Sequence, residues 1–387
     1  MKILIITYLN SFSPGTFLQA YGLQKGLMET FPKADICFLN SKDIVRPRKN
    51  GTVKQSTIKD IIKQRLSAAL RLLQVYYLQK KHFKIIGKKI ELFNFNCQEV
   101  ANLINKFDLL VIGSDTILEN VTNNNNTQIG IMWPDDHIKI KRVYFSASAA
   151  PARFLLSGEL KADLKERISK FSFIGLRDEI TMSLFKNVLD NTGVAPVKQP
   201  DPTYFIDLSE FKLPFYYRSK LKKKAKYCLF TFNKQFKYRD ELIEILKKEN
   251  YTLVAIQYIP GVDICFSGIN PLQWGSIFGY CDLIVTERFH DTVFALRHCK
   301  PVISVDWDES RFSQTFNSKT KSILKDYNLD NFHVTITDIV GLDKFKSILK
   351  NIPSFSVNDI NRKNNENISL SNALVKKMCA DLCIGAK

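Results

Sequence analysis

The densest chemical potential in the chain lies in one heptapeptide, Thr286-Glu287-Arg288-Phe289-His290-Asp291-Thr292. The guanidinium of Arg288 is a planar fork matched to carboxylate or phosphate. Two residues on, His290 titrates near neutral pH and can give or take a proton. The heptapeptide falls where an apolar run ends and a helical pattern begins. The N–H groups of that helix start, with Thr292, add anion-binding capacity. An Arg-x-His pair in such a turn suits an anionic substrate that needs a proton. The bland alternative is that Arg288 pairs with Glu287 or Asp291 while His290 caps the helix. Spacing alone leaves the two readings equal.

Three further turns could contribute. Gly113-Ser114-Asp115 follows the apolar run Phe107–Ile112. Gly113 permits close backbone approach, Ser114 can hold an oxyanion, and Asp115 can take a proton from a hydroxyl. The same tripeptide is also common turn chemistry. Pro14-Gly15-Thr16 opens a helix after the first strand in the manner of a nucleotide-binding turn, but lacks the full Gly-x-Gly-x-x-Gly pattern. Arg177 follows Phe171–Leu176 and either faces a cleft or bridges to Asp178 and Glu179.

The elements that must position these residues form two series of strand and helix. In the first, Lys2–Tyr8, Ala34–Asn40, Phe107–Ile112, Arg142–Ala147 and Phe171–Leu176 read as strands, and Thr16–Thr30 and Gly158–Lys170 as helices. In the second, Lys226–Phe232, Tyr251–Tyr258, Leu283–Thr286 and Val302–Val305 read as strands. Tyr238–Glu249, Pro271–Tyr280 and Thr292–His298 are its helices. Apolar runs alternating with helices indicate parallel strands covered on both faces. The expected fold is therefore α/β, two Rossmann-like domains facing across a cleft, with ligands beyond the carboxyl ends of the strands. The expected divisions are residues 1–203, 204–224 as crossover, and 225–355 carrying the Arg-x-His pair. Residues 356–387 are expected to be a solvated linker (Val357–Asn367) and a terminal helix from about Ser369.

Composition narrows the partners. The chain has 56 Lys+Arg against 38 Asp+Glu, a formal charge of +18, so its partners are expected to be anionic. No nucleic-acid module is recognisable, so nucleic acid is not expected. No run approaches the ~18 apolar residues of a membrane span. Met1–Tyr8 reads as a strand and not as a secretion signal, which places the protein in the cytoplasm. The scattered cysteines suit reduced thiols. Cys379 and Cys383, one helical turn apart, lack a second ligand pair, so no metal is expected. The run Lys220–Lys224 reads as a solvated loop. A basic excursion over residues 57–90 reads as helical. Its apolar positions Ile61, Ile62, Leu66, Ala69, Leu70, Leu73, Tyr76 and Tyr77 are expected to pack on the first domain. Contact with an anionic membrane surface is the alternative.

The order of these elements resembles the polysaccharide pyruvyl transferase family over about residues 1–330. The resemblance rests on Gly15-Thr16-Phe17-Leu18-Gln19-Ala20-Tyr21-Gly22-Leu23, Asp108–Asp115, Tyr144-Phe145-Ser146-Ala147-Ser148, Gly175-Leu176-Arg177-Asp178 and Asp201-Pro202-Thr203. Its most specific part is Thr286–His290 running on to Lys300-Pro301-Val302. The resemblance implies a GT-B-like fold and transfer of pyruvyl from phosphoenolpyruvate onto two hydroxyls of a sugar, forming a cyclic ketal and releasing phosphate. It implies no cofactor and no metal. The acceptor would be a cell-surface glycan or its lipid-linked precursor, at the inner face of the cytoplasmic membrane.

By the family pattern, Arg288 and Arg177 would bind the donor's carboxylate and phosphate and His290 would serve as acid. A base role for Asp115 is our own assignment, with Gly15, Gly113, Ser114 and Thr292 as substrate-binding positions. Two departures stand out. Asp291 replaces the small residue usual after the histidine, and Thr116, Ile117 and Leu118 replace the glutamine and tryptophan often found after the aspartate. The alternatives are a glycosyltransferase using a nucleotide-activated sugar, with a diphosphate at the helix start, or a non-catalytic glycan- or anion-binding protein.

Overall fold

The computed structural model describes residues 1–9, 13–42, 57–91, 97–118, 130–149, 158–188, 195–222, 225–233, 235–307 and 318–382. Cys383, Lys223 and Lys224 lie outside them. The first half runs β1 (Lys2–Ile6), α1 (Pro14–Thr30), β2 (Asp35–Lys42), α2 (Ile58–His82), β3 (Ile85–Glu91), α3 (Cys97–Ile104) and β4 (Leu109–Asp115). It continues through β5 (Lys141–Ala147), α4 (Gly158–Ser169), β6 (Phe173–Leu176), α5 (Glu179–Val188) and β7 (Val197–Lys198). Its seven strands lie in the order β3-β2-β1-β4-β5-β6-β7, every pair parallel.

Two 3₁₀ turns (Pro202–Phe205 and Leu208–Glu210) and α6 (Phe215–Arg218) cross to the second half. That half runs β8 (Lys226–Thr231), α7 (Arg239–Lys248), β9 (Tyr251–Ala255), β10 (Ile264–Cys265), α8 (Pro271–Tyr280), β11 (Leu283–Thr286) and α9 (Phe289–Arg297). Then come β12 (Val302–Asp306), α10 (Lys319–Asp326), β13 (His333–Thr335), α11 (Ile339–Lys350) and α12 (Val357–Asp381). Its parallel sheet is ordered β10-β9-β8-β11-β12-β13.

Both sheets thus share one winding, in which the order reverses beside the first strand: between β1 and β4, and between β8 and β11. Such a reversal opens a crevice at the strands' carboxyl ends. The central strands are continuous apolar runs because both faces are covered; β4 is buried throughout and β1 from Ile3 onward. α1 is wedged between the halves, packing on the Pro202–Phe205 turn and on α8. That explains why Phe17, Leu18, Ala20, Leu23 and Leu27 are all buried.

Four expectations are corrected. The polar stretch after Val357 is not a linker but the first half of α12, capped by the Ser356 hydroxyl. Its asparagines have buried partners: the Asn364 amide donates to the Leu296 carbonyl at 2.9 Å, and its oxygen accepts from the Tyr327 hydroxyl at 2.7 Å. α12 returns across the molecule, touching α9 on one side and α1 and the Pro202–Phe205 turn on the other. Second, the basic excursion is helical only to His82. Ile85, Ile86 and Ile90 then pair with Phe38, Leu39 and Ser41 as the edge strand β3, whose exposed lysines discourage further strand addition. Third, α9 begins at Phe289, placing His290 and Asp291 inside its first turn. Fourth, α2 turns its apolar stripe outward and does not pack it on the first domain: Ile61, Ile62, Leu66, Leu70, Leu73, Tyr76 and Tyr77 are all exposed.

Candidate active site

The carboxyl ends of the two sheets face each other, and the residues singled out for their chemistry come from both. β11 ends at Thr286, and the extended backbone of Arg288 forms the N-cap of α9. His290 then sits in the first turn. From the other half, the start of α1 meets it. A Cβ placed on Gly15 would lie 2.5 Å from Cβ and Cγ of His290. The glycine is required because the imidazole occupies the space its side chain would fill. Two helix starts therefore converge on one ring, a favourable setting for an anion.

Beneath the ring is a buried charge cluster. Arg177, at the end of β6, donates from Nη1 to Asp201 Oδ2 at 3.1 Å, and its Nη2 lies 3.9 Å from Asp115 Oδ1. Its guanidinium also lies 4.4 Å from the centre of the Phe289 ring. His290 Nε2 is 3.7 Å from the same Asp201 oxygen and has no hydrogen-bond partner among the described residues. The side chains of Arg177 and Asp201 are 2 % and 1 % exposed, against 11 % for Asp115 and for His290. Arg177 and Asp201 are thus the floor, and His290 and Asp115 the surface that a ligand would meet. Arg177 bridges neither Asp178, which caps α5 through Thr181 N at 2.9 Å, nor Glu179, which pairs with Lys198.

Proton affinities follow from this packing. Burial pushes the Asp115 carboxyl up, but His290, Arg177 and Lys319 outweigh it and hold the group below its usual range. Burial likewise opposes ionisation of Asp201, and His290, Arg177 and the Thr203 hydrogen bonds overcome it. For His290 burial wins: it lowers the ring's proton affinity despite Asp201 and Asp115 nearby. The resting site thus pairs two carboxylates with one buried guanidinium and a neutral imidazole.

Asp115 holds α1 in place. Its Oδ2 accepts from the Thr16 hydroxyl at 3.2 Å and from Gln19 Nε2 at 3.1 Å, and its Oδ1 from Thr116 N at 2.8 Å. Thr116 therefore contributes through its backbone, which any residue supplies. Gly113 serves packing, since a Cβ there would lie 1.9 Å from the Phe145 carbonyl oxygen on β5. The Ser114 hydroxyl is buried without a partner among the described residues. Thr292 is buried, and its hydroxyl donates to the Arg288 carbonyl at 3.1 Å, so it serves the helix.

The acids flanking Arg288 are both engaged elsewhere. Glu287 accepts from Asn233 N at 2.9 Å and from the Trp307 indole. Asp291, one of the two departures from the family pattern, is not the N-cap. Its carboxylate turns back between the strand ends of β8 and β11, accepting from the hydroxyls of Thr231 and Thr286. Burial raises its pKa, against the opposing influence of Arg288 and those hydroxyls. Among the described residues no carboxylate pairs with Arg288. The bland reading of the heptapeptide therefore fails on both counts.

Three residues of the site escaped sequence reasoning. Asp201 lay in a quoted motif, and an aspartate before Pro-Thr could have been read as the start of a capped turn: its Oδ1 accepts from Thr203 N at 3.0 Å. Lys319, at the start of α10, acts on both Asp115 and His290 and lies 5.7 Å from the Phe289 ring centre; it carries no local signal. Arg71 of α2 reaches across to Gln257, with Nη1 3.2 Å from Oε1, and lies close enough to Arg288 for the two charges to repel.

Comparison with known proteins follows the same lines. The family model "Polysaccharide pyruvyl transferase" matches residues 15–309. No curated protein matches. Among solved structures, the chain is similar to UDP-GlcNAc 2-epimerase from Neisseria meningitidis bound to UDP-GlcNAc, at 12% identity and TM-score 0.55, covering 98% of this chain and 100% of that one. It is also similar to the spinosyn forosaminyltransferase, at 11% identity and TM-score 0.51, covering 98% and 99%. A further UDP-N-acetylglucosamine 2-epimerase is 9% identical with TM-score 0.54, covering 100% and 98%. At such identities these structures establish the fold, a two-domain GT-B architecture.

Proposed function

We propose that this chain, which belongs to the polysaccharide pyruvyl transferase family, transfers the pyruvyl group of phosphoenolpyruvate onto two hydroxyls of a sugar in a cell-surface glycan or its precursor. Family membership makes it a member of a transferase family; donor and product are our reading. The observation that supports it best is the guanidinium of Arg288, paired with no carboxylate among the described residues, two residues before a buried imidazole nitrogen that has no hydrogen-bond partner among them. A donor with a phosphate and a carboxylate needs such a cation, and its methylene carbon needs a nearby proton.

The chemistry balances as follows. One sugar hydroxyl adds its oxygen to C2 of phosphoenolpyruvate while the methylene carbon gains a proton and becomes methyl. The C2–O bond to phosphate then breaks, and the second hydroxyl closes the ketal. Of the two hydroxyl protons, one is balanced by the new methyl and the other leaves with phosphate. His290 is the proton donor to carbon in this reading. Its ring is neutral at rest because burial outweighs its acidic neighbours, and an arriving polyanion raises its proton affinity, so it is charged only when donor is bound. Arg288 holds donor oxygens, with the helix start behind it. Asp115, ionised at rest, takes the attacking hydroxyl's proton and gives it up again to reload His290, while the second hydroxyl's proton leaves with phosphate. Arg177 and Asp201 act through His290 and Asp115, fixing their positions and charges.

Calorimetry with phosphoenolpyruvate, together with phosphate release in the presence of glycan acceptors, tests this. Arg288→Ala should weaken donor binding about tenfold to a hundredfold, the scale of one or two charged hydrogen bonds. His290→Ala should leave donor binding within a few-fold while cutting phosphate release by about 10²-fold or more. Tight binding of a nucleotide sugar with none of phosphoenolpyruvate would overturn the reading in favour of glycosyl transfer.

A further inference from the structure

α2 is amphipathic in the opposite sense to an ordinary surface helix. Its inward side is largely polar. Asp60 accepts from the Tyr258 hydroxyl at 2.6 Å, Arg71 reaches Gln257, and Ser67 and Gln79 are buried with Val75 and Leu78. Its outward side is apolar. Ile58, Ile62, Leu66, Leu73, Tyr76 and Tyr77 are each between 56 and 78 % exposed. Their spacing, with Ala69 between, draws one stripe along the helix over about six turns. A stripe of that length on a lone surface marks an interaction site.

Charge decides what covers it. Within α2, Lys59, Lys63, Arg65, Arg71, Lys80 and Lys81 face a single carboxylate, Asp60, which is already bonded to Tyr258 and Thr57. By helical spacing, Arg65 and Lys80 stand on the apolar face itself, and Lys59, Lys63 and Lys81 along its edges. Lys80 lies over the Tyr76 ring at 5.5 Å. Beyond the helix, β3 adds Lys88 and Lys89. A second copy of α2 would set these cations against one another. An anionic bilayer surface satisfies both halves of the pattern, taking the aliphatic side chains below the headgroups and the cations among them. The tyrosines suit that boundary, with apolar rings and wet hydroxyls. No described helix is long and apolar enough to cross a membrane, so the helix would lie in the surface plane.

We propose that α2 docks this protein on anionic lipid, with its apolar face in the bilayer interface and its polar face lining the cleft beside Gln257 and Arg288. The proposal does not depend on the donor or on the reaction. It has a consequence for the acceptor: an acceptor anchored in the same membrane would meet the cleft at the helix that touches the lipid.

Vesicle co-sedimentation tests it. The full chain should bind vesicles of equal parts phosphatidylcholine and phosphatidylglycerol, and bind phosphatidylcholine alone at least about tenfold more weakly. Binding should fall as salt rises. The triple variant Ile62→Ser, Leu66→Ser, Leu73→Ser should lose at least about tenfold in partitioning. Lys80→Gln with Lys81→Gln should lose about tenfold or more, at roughly fivefold per lysine near the surface. All five positions are exposed, so the melting temperature should not move, and phosphate release with a soluble acceptor should stay at the wild-type level. Failure of donor binding would sink the proposed reaction and leave this inference standing. Equal binding of the triple variant, or no preference for phosphatidylglycerol, would overturn it. So would a dimer in sedimentation equilibrium that the triple variant converts to monomer, because a second copy would then be what covers the face.

Discussion

Gly15→Ala is the sharpest test of how the two halves build one site. The added methyl carbon would lie 2.5 Å from Cβ and Cγ of His290 and 2.6 Å from its Nδ1. The optimum for such atom pairs is about 3.5 Å or more, so the ring or the start of α1 must move by roughly 1 Å. Forcing a methyl into a packed contact costs about 1–3 kcal/mol. Replacing a helical glycine with alanine returns up to about 1 kcal/mol. The net loss of stability should therefore be small, about 0–2 kcal/mol. The catalytic loss should be large, because a misplacement of about 1 Å can cost roughly 10²-fold. The assay is phosphate release from phosphoenolpyruvate, with thermal unfolding as the companion measurement. In a His290→Gly background the three nearest clashing atoms are gone, so Gly15→Ala should then cost less stability than in the wild type. Wild-type turnover in Gly15→Ala, with the His290 titration unchanged by NMR, would refute the claim that α1 positions the imidazole.

Two further outcomes follow from buried ionisable groups. His298 is packed so that burial lowers its pKa to about 4, against an ordinary 6.5, while its ring hydrogen-bonds to the Gly275 carbonyl. Because the folded state resists the proton, the stability present above pH 6.5 is lost as pH falls towards 4. The loss should be about 2–3 kcal/mol, and His298→Gln should flatten it in chemical denaturation at a series of pH values. For Asp291, burial raises the carboxyl's pKa and two threonine hydroxyls point at one oxygen. Asp291→Asn should therefore change stability by less than about 1 kcal/mol, whereas Thr231→Val should cost about 1–3 kcal/mol by leaving that oxygen short of a donor.

The parallel sheets were legible because strands buried on both faces are unbroken apolar runs, and β4 and β11 show this along their whole length. What composition could not show was which polar residues find partners inside. The Asn- and Lys-rich start of α12 reads as solvated, yet Asn364 is buried against Leu296 and Tyr327. Likewise, lysines between Ile86 and Ile90 hid an edge strand. For α2 the period was read correctly and its direction was not, because periodicity fixes an apolar face without saying what it faces. The heptapeptide holding Arg288 and His290 was visible as a pattern. The cluster beneath it was not, since Arg177 and Asp201 are 24 residues apart in the chain and meet only where β6 and the crossover turn come together.

The role of the acids decides between an anion site and a salt-bridged scaffold. Among the described residues, the four carboxylates named at the site are all held by groups other than Arg288. Glu287 is held by Asn233 and Trp307, Asp291 by two threonines, Asp201 by Arg177 and Thr203, and Asp115 by Thr16, Gln19 and Thr116. Two of them, Asp115 and Asp201, balance Arg177 and bias His290, so the buried cluster is close to neutral once the imidazole gains a proton. That leaves Arg288, with Arg71 near enough to repel it, as positive charge that pairs with no carboxylate among the described residues. The two like charges are unfavourable to each other, and an anion near them offsets that cost. A ligand carrying several negative charges relieves that repulsion, and by the same act raises the proton affinity of His290. In the proposed reaction, His290 would thus be charged by the substrate whose carbon it protonates.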